Sequence, residues 1–145
     1  MAGFDLREIE FRSDGVTDSL TSCMAPALFH GNLKREISTA DREGRELTIV
    51  SVVVDPEKYL SLGEYQESLI ALAFALEKNL RGGDFFARIS DCGFWILLRT
   101  DEVTSQGAID RLDLPRRDEL TIKLAARKLS NYSEWIDRID QLHFN

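Results

Sequence analysis

The fold is decided by residues 80–99, which read LRGGDFFARISDCGFWILLR. Two apolar runs, residues 85–89 and 94–98, flank the turn-prone tetrapeptide at residues 90–93. Aromatic and β-branched residues on both sides of residues that permit a tight reversal are typical of a β-hairpin. The stretch therefore predicts two antiparallel strands joined by a short turn.

A cation and a carboxylate stand just before the first of these strands. Arg81 and Asp84 are separated by Gly82 and Gly83, which tolerate backbone angles that other residues avoid. The two side chains could therefore face one ligand. The alternative is a local ion pair on the surface, which would contribute about 0 to 1 kcal/mol.

Length and composition favour one compact domain. The chain has 145 residues, of which 43% are hydrophobic, and this suits a single core. It has no apolar run long enough for a membrane span and no apolar signal core near Met1, so we expect a cytoplasmic protein with no membrane partner.

The charge and the cysteines exclude other classes of partner. A net charge of -7 argues against nucleic-acid binding. Cys23 and Cys92 lie outside any Cys-x-x-Cys pattern, so neither a disulfide framework nor a zinc site is indicated, and we expect no cofactor.

The rest of the chain predicts further strands and helices. Apolar periodicity predicts helices over residues 26–43, 63–80, 105–112 and 133–142, and strands over residues 47–54 and 120–126. This order suits a two-layer α+β fold, in which helices pack against a sheet. Residues 1–17 carry mixed charge, and we interpret them as an N-terminal arm or lead-in helix before a domain over residues 18–145.

The decisive stretch resembles the GGDEF domains, which make cyclic di-GMP from two molecules of GTP. In that family a helix ending in Leu-x-x-x-x-Arg-x-x-Asp leads to a strand ending in Ala-Arg-x, the Gly-Gly-Asp/Glu-Glu-Phe turn and an apolar strand. The residues at matching spacings are Arg81, Asp84, Ala87, Arg88 and Phe94. The turn differs, because Ser-Asp-Cys-Gly-Phe occupies residues 90–94. An alternative register takes residues 82–86 as the signature, but a poor apolar strand would then follow.

The resemblance covers about Asp18 to Phe144. It begins at residues 18–22, which are similar to the family's Asp-x-Leu-Thr-Gly, and it ends at residues 135–144, which are similar to its last helix. The fold that it implies is the palm-like fold of nucleotidyl cyclases, a ferredoxin-like central antiparallel sheet with helices packed against it.

The resemblance also implies that the catalytic groups are lost. The family binds magnesium through two carboxylates, and the matching positions here are Val53 and Cys92. Asp55 and Asp91 could replace them only after a slip of register. The two residues that would hold guanine are replaced by Ser61 and Gln66. We therefore expect a degenerate domain that is not an enzyme and has no metal site.

A second family site is retained in the sequence. In the family, Arg-x-x-Asp placed five residues before the signature turn forms the inhibitory site for cyclic di-GMP, and Arg81 and Asp84 keep that spacing. A guanidinium can pair with phosphate or a guanine edge, and a carboxylate can accept hydrogen bonds from guanine. The resemblance adds Arg111 as a second arginine if one residue is dropped from the preceding loop, and Arg88 as an assisting residue.

Two functions are compatible with these motifs. The first is a bacterial, non-catalytic GGDEF-like signalling domain that binds cyclic di-GMP and passes the signal to a partner protein. The alternative is a pseudoenzyme scaffold that dimerises or docks without nucleotide. It would use the N-terminal arm or the region of Phe85, Phe86 and Trp95.

Overall fold

The computed structural model describes residues 2–127 and 132–141. Its helices and strands are, in chain order, α1 Pro26–Glu43, β1 Leu47–Val54, α2 Leu62–Asn79, β2 Phe85–Arg88, β3 Gly93–Leu98, α3 Glu102–Asp110, β4 Leu120–Arg127 and α4 Tyr132–Gln141. Within these ranges the strands form one sheet in the order β2-β3-β1-β4, and every neighbouring pair is antiparallel. The predicted α+β fold with a ferredoxin-like central sheet is confirmed. None of the helices described is long and apolar enough to span a membrane.

Strand β1 lies inside the sheet and is covered on both faces. Val50, Val52 and Val54 join a core with α2 and α3, whereas Leu47 and Ile49 join a second core with α1 and α4. Successive side chains of a strand point to opposite faces, so a strand buried on both sides needs an almost continuous apolar run. The molecule therefore has three layers, and the predicted two-layer arrangement is wrong.

The region proposed for docking in the scaffold hypothesis lies largely in these cores. Phe86 packs in the core with α2, and Trp95 and Phe85 pack in the core with α1 and α4. Phe86 and Trp95 are buried, and Phe85 is half-buried with its ring 5.3 Å from that of Phe29. The expectation that these aromatic residues offer a docking surface is therefore wrong.

The helix ends follow capping chemistry. Helix α1 starts with Pro26 in its first turn and ends at Gly44, whose φ of 67° is the left-handed conformation that glycine tolerates. Helix α3 begins at Glu102, earlier than predicted, because the carboxylate of Asp101 accepts a hydrogen bond from the Thr104 amide at 2.7 Å. The last predicted residue of α4, Leu142, lies outside the described residues.

The N-terminal arm packs against helix α2. Ile9 is buried in the core with α2, and the ring of Phe4 lies 5.4 Å from the ring of Tyr65. The Glu10 amide donates a hydrogen bond to the side-chain oxygen of Gln66 at 2.8 Å. Within residues 2–17 the arm has one short 3-10 helix, Leu6–Glu8, and tertiary contacts hold the arm in place.

Candidate functional site

Three of the four predicted site residues line one cavity. Arg81, Asp84 and Arg111 lie around a space of about 210 Å³ between the end of α2, the start of β2 and the end of α3. Apolar residues complete the lining, and they include Leu80 after α2, Leu98 at the end of β3, and Ile109 and Leu112 at the end of α3. The cavity therefore combines an apolar floor with two cations and one carboxylate.

A tight loop over residues 81–84 places the first two of these side chains. Helix α2 ends at Asn79, and the Asp84 amide donates a hydrogen bond to the Arg81 carbonyl at 3.2 Å. Gly83 has a φ of 95°, which side-chain-bearing residues rarely adopt. The glycine thus lets the chain reverse within a few residues, and it brings Arg81 and Asp84 to the same cavity.

The charges in the cavity are not paired with each other. Arg81 and Arg111 are exposed, and in the described part of the chain neither forms a salt bridge. Asp84 is half-buried and accepts a hydrogen bond from the backbone amide of Arg99 at 3.3 Å. Burial raises the pKa of Asp84, and the hydrogen bond from Arg99 and the charges of Arg99 and Arg81 oppose that rise. The local Arg81–Asp84 ion pair considered from the sequence does not form.

Arg88 is the one predicted ligand residue that the structure places elsewhere. Its side chain is 0% exposed and forms a salt bridge of 3.2 Å with Asp18, which is 1% exposed. It also donates a hydrogen bond to the Asp91 carbonyl at 2.9 Å, and its guanidinium lies over the ring of Phe11. The assignment of Arg88 to the ligand site is corrected, because the residue is an internal anchor for the N-terminal segment and the hairpin.

The hairpin turn presents a thiol where the resemblance expects a metal-binding carboxylate. The Cys92 carbonyl accepts a hydrogen bond from the Val54 amide at 2.9 Å, which fixes the turn against the end of β1. Burial raises the pKa of the Cys92 thiol to about 11. The Asp55 carboxylate accepts a hydrogen bond from the Glu57 amide at 3.0 Å. Residues 2–127 and 132–141 contain no group of three histidine, cysteine or acidic side chains that could hold a metal ion.

Sequence reasoning missed Arg99 and Glu36, which border the candidate site. The Arg99 guanidinium forms a salt bridge with the Glu36 carboxylate of α1 and lies against Gly83. The predicted hairpin held part of the signal, because it brings the residues after its second strand close to those before its first strand. The observed pairing of Phe85 with Leu97, extended by two residues, places Arg99 opposite Gly83. The contribution of α1 had no local signal, since Glu36 is distant in sequence.

Solved structures share this fold at low sequence identity. No protein-family model matches the chain, and no curated protein matches it. The GGDEF domain of DgcB from Caulobacter crescentus, solved in complex with c-di-GMP, is 17% identical over 90% of this chain and 88% of that chain, with a TM-score of 0.74.

Two further structures come from Pseudomonas aeruginosa. The diguanylate cyclase SiaD, solved with its activator SiaC, is 20% identical over 86% of this chain and 55% of that chain, with a TM-score of 0.70. The GGDEF domain of FimX is 16% identical over 86% of this chain and 89% of that chain, with a TM-score of 0.73. The chain therefore has the fold of GGDEF domains.

Proposed function

We propose that this protein is a non-catalytic GGDEF-like signalling domain that binds cyclic di-GMP in the cavity lined by Arg81, Asp84 and Arg111. The observation that carries the proposal is the convergence of these three side chains on one cavity. The ligand class is supported by the DgcB domain and by a second microbial GGDEF domain, both of which were solved with c-di-GMP. A protein partner would read the bound state.

The side chains suit the groups that cyclic di-GMP presents. The ligand carries two phosphodiesters and two guanine bases. The exposed guanidinium groups of Arg81 and Arg111 would pair with phosphate oxygens or with the acceptor edge of guanine. The Asp84 carboxylate would accept hydrogen bonds from the guanine N–H groups, while Leu80 and Leu112, which are half-buried, would contact a base face. Because the cavity of about 210 Å³ encloses only part of such a ligand, we expect micromolar affinity.

The turn at Cys92 supports the absence of cyclase activity. A thiol whose pKa is about 11 stays protonated at neutral pH, and magnesium prefers charged oxygen ligands. Val53 offers no ligand atom in its side chain. Asp55 lies nearby, but its carboxylate already caps the Glu57 amide. The synthetic site would therefore lack the metal ions that phosphoryl transfer needs.

Calorimetric titration with cyclic di-GMP tests the receptor role. We expect micromolar binding to the wild type and binding at least tenfold weaker to Arg81→Ala, because a charge-assisted hydrogen bond contributes about 1.5 to 3 kcal/mol. Arg42→Ala is the matched control, since Arg42 is also exposed but lies on α1 outside the cavity. A flat trace for the wild type at high micromolar concentrations of ligand would contradict the receptor role. Equal affinities for the wild type and Arg81→Ala would contradict the site.

The scaffold remains the second candidate function, because α2 exposes an apolar surface. Phe74 is 71% exposed, and Ile70 lies one turn before it on the same helix. Glu67 and Glu77 flank this surface, so a basic amphipathic segment of a partner protein would fit it better than a second copy of the chain. The neighbour SiaD was solved with a protein activator. For a scaffold alone, the calorimetric trace with cyclic di-GMP would be flat.

A further inference from the structure

We infer that Arg99, held in place by Glu36, is a positioning residue of this pocket that fixes the 81–84 loop and the carboxylate of Asp84. The inference rests on the proposed function for its ligand. The contacts of Arg99 with Glu36, Gly83 and Asp84 are present without a ligand. Arg99 does not line the cavity, so it would act on binding through the loop and through its charge beside Asp84.

Arg99 contacts the 81–84 loop through both its backbone and its side chain. It follows β3 directly, and the pairing of Phe85 with Leu97 continues so that Arg99 faces Gly83. Its amide donates a hydrogen bond to Oδ1 of Asp84 at 3.3 Å. Its guanidinium covers Gly83, where an added Cβ would lie 2.5 Å from Nη1. One residue thereby defines both the position of the carboxylate and the space above the loop.

The absence of a side chain at Gly83 makes room for the same contact. Its φ of 95° excludes an unstrained side chain, and the guanidinium fills the space that a side chain would need. Gly82 differs, because a Cβ added there meets no atom within 4 Å. The two adjacent glycines therefore have different roles, and only Gly83 is coupled to Arg99.

Glu36 connects this arrangement to the rigid part of the molecule. It lies in α1 between Leu33 and Ala40, which are both buried in the core. The side chains of Glu36 and Arg99 are 17% and 35% exposed, so solvent screens their salt bridge only in part. An arginine without such a partner samples many rotamers. The salt bridge keeps the guanidinium over the loop.

Replacing Arg99 by methionine tests the inference, because methionine keeps an unbranched side chain and removes the charge. We expect Arg99→Met to weaken cyclic di-GMP binding about tenfold in calorimetry and to raise the pKa of Asp84, measured by carbon-13 NMR of its carboxyl group. Arg127→Met is the matched control. Arg127 also lies at a strand end and pairs with an acidic residue of α1, Asp41, but it is not in the cavity. This control should change neither quantity.

A second pair of variants keeps the test valid if Arg99→Met fails to fold. Gly83→Ala should disturb the Asp84 carboxyl signal and weaken binding, and Gly82→Ala should leave both nearly unchanged. An Asp84 titration that is the same in Arg99→Met or Gly83→Ala as in the wild type would overturn the positioning role. If the wild type fails to bind cyclic di-GMP, the proposed function fails. The titration of Asp84 would then still decide whether Arg99 positions the carboxylate.

Discussion

Arg88 and Asp18 form an ion pair in which both side chains are buried, at 0% and 1% exposure. We predict that Arg88→Met lowers the free energy of unfolding by about 3 to 5 kcal/mol, because it leaves the carboxylate of Asp18 buried without a compensating charge. Urea denaturation at pH 7 measures this loss. Arg45→Met is the control, since Arg45 pairs with Glu43 on the surface and its loss should cost less than about 1 kcal/mol.

The double variant Asp18→Asn/Arg88→Met tests whether the buried charge of Asp18 causes this loss of stability. If the cost of Arg88→Met comes from an uncompensated charge, removing that charge should recover part of the lost stability. Asp18→Asn could instead cost the same free energy of unfolding in the Arg88→Met variant as in the wild type. The two residues would then act independently. That result would contradict their pairing.

The different outcomes for Arg88 and Arg81 show what single residues in a sequence reveal. Both arginines match a family motif, and both precede or belong to the same hairpin. Arg81 lies in the loop after α2 and is exposed. Arg88 is buried and forms a salt bridge with Asp18, which is 70 residues away in the chain. Local spacing predicts which residues come near one another in a loop. It does not predict which of them the N-terminal segment will cover.

Helix α4 docks on the sheet and on α1 through polar contacts as well as apolar ones. The indole N–H of Trp135 donates a hydrogen bond to the Ala125 carbonyl at 2.9 Å, and the hydroxyl of Tyr132 is hydrogen-bonded to His30. Burial lowers the pKa of His30, the charge of Lys34 lowers it further, and Asp140 opposes both effects. Protonation of His30 is therefore less favourable in the folded protein than in the unfolded chain.

This shift predicts a pH dependence of stability. A histidine whose folded pKa lies below the unfolded value of about 6.5 binds its proton first in the unfolded chain, so stability falls as the pH drops through 6.5. The loss levels off below the folded pKa. We expect His30→Gln to lose less stability than the wild type between pH 7.5 and pH 5.5 in urea denaturation. Equal losses in both proteins would exclude His30 as the cause.

The helices and strands were predictable in position, but the layers were not. Apolar periodicity located β1 and α1 at their observed bounds, because the buried side of an element is encoded in its own residues. The same periodicity does not tell on which face of the sheet a helix packs. Helices α1 and α4 share one face and α2 and α3 the other, a consequence of chain connections that no local pattern expresses. The spacing of Arg81 and Asp84 predicted that both could face one ligand, whereas Arg111 was predicted only from the resemblance to GGDEF domains.

The net negative charge of the protein disfavours binding of the proposed ligand, which is also negatively charged. The chain carries a net charge of -7, and cyclic di-GMP carries two negative charges, so the overall field repels it. The proposed binding would therefore depend on Arg81 and Arg111, which are exposed and form no salt bridge with any described residue. The same overall field acts against GTP, and the expected magnesium positions hold Val53 and Cys92. Magnesium would have no carboxylate pair there to offset the triphosphate charge.

This contrast predicts that the molecule distinguishes the two nucleotides. Cyclic di-GMP at 100 times its dissociation constant should stabilise the fold by about 2.7 kcal/mol, which raises the melting temperature by roughly 10 °C, because a ligand that binds only the native state shifts unfolding by mass action. GTP with magnesium should leave the melting temperature unchanged and yield no cyclic di-GMP by mass spectrometry. Arg81→Ala should abolish the first shift, and Arg42→Ala should retain it. Formation of cyclic di-GMP from GTP would mean that a catalytic site survives. A shift with GTP that Arg81→Ala does not affect would mean that GTP binds outside the proposed cavity.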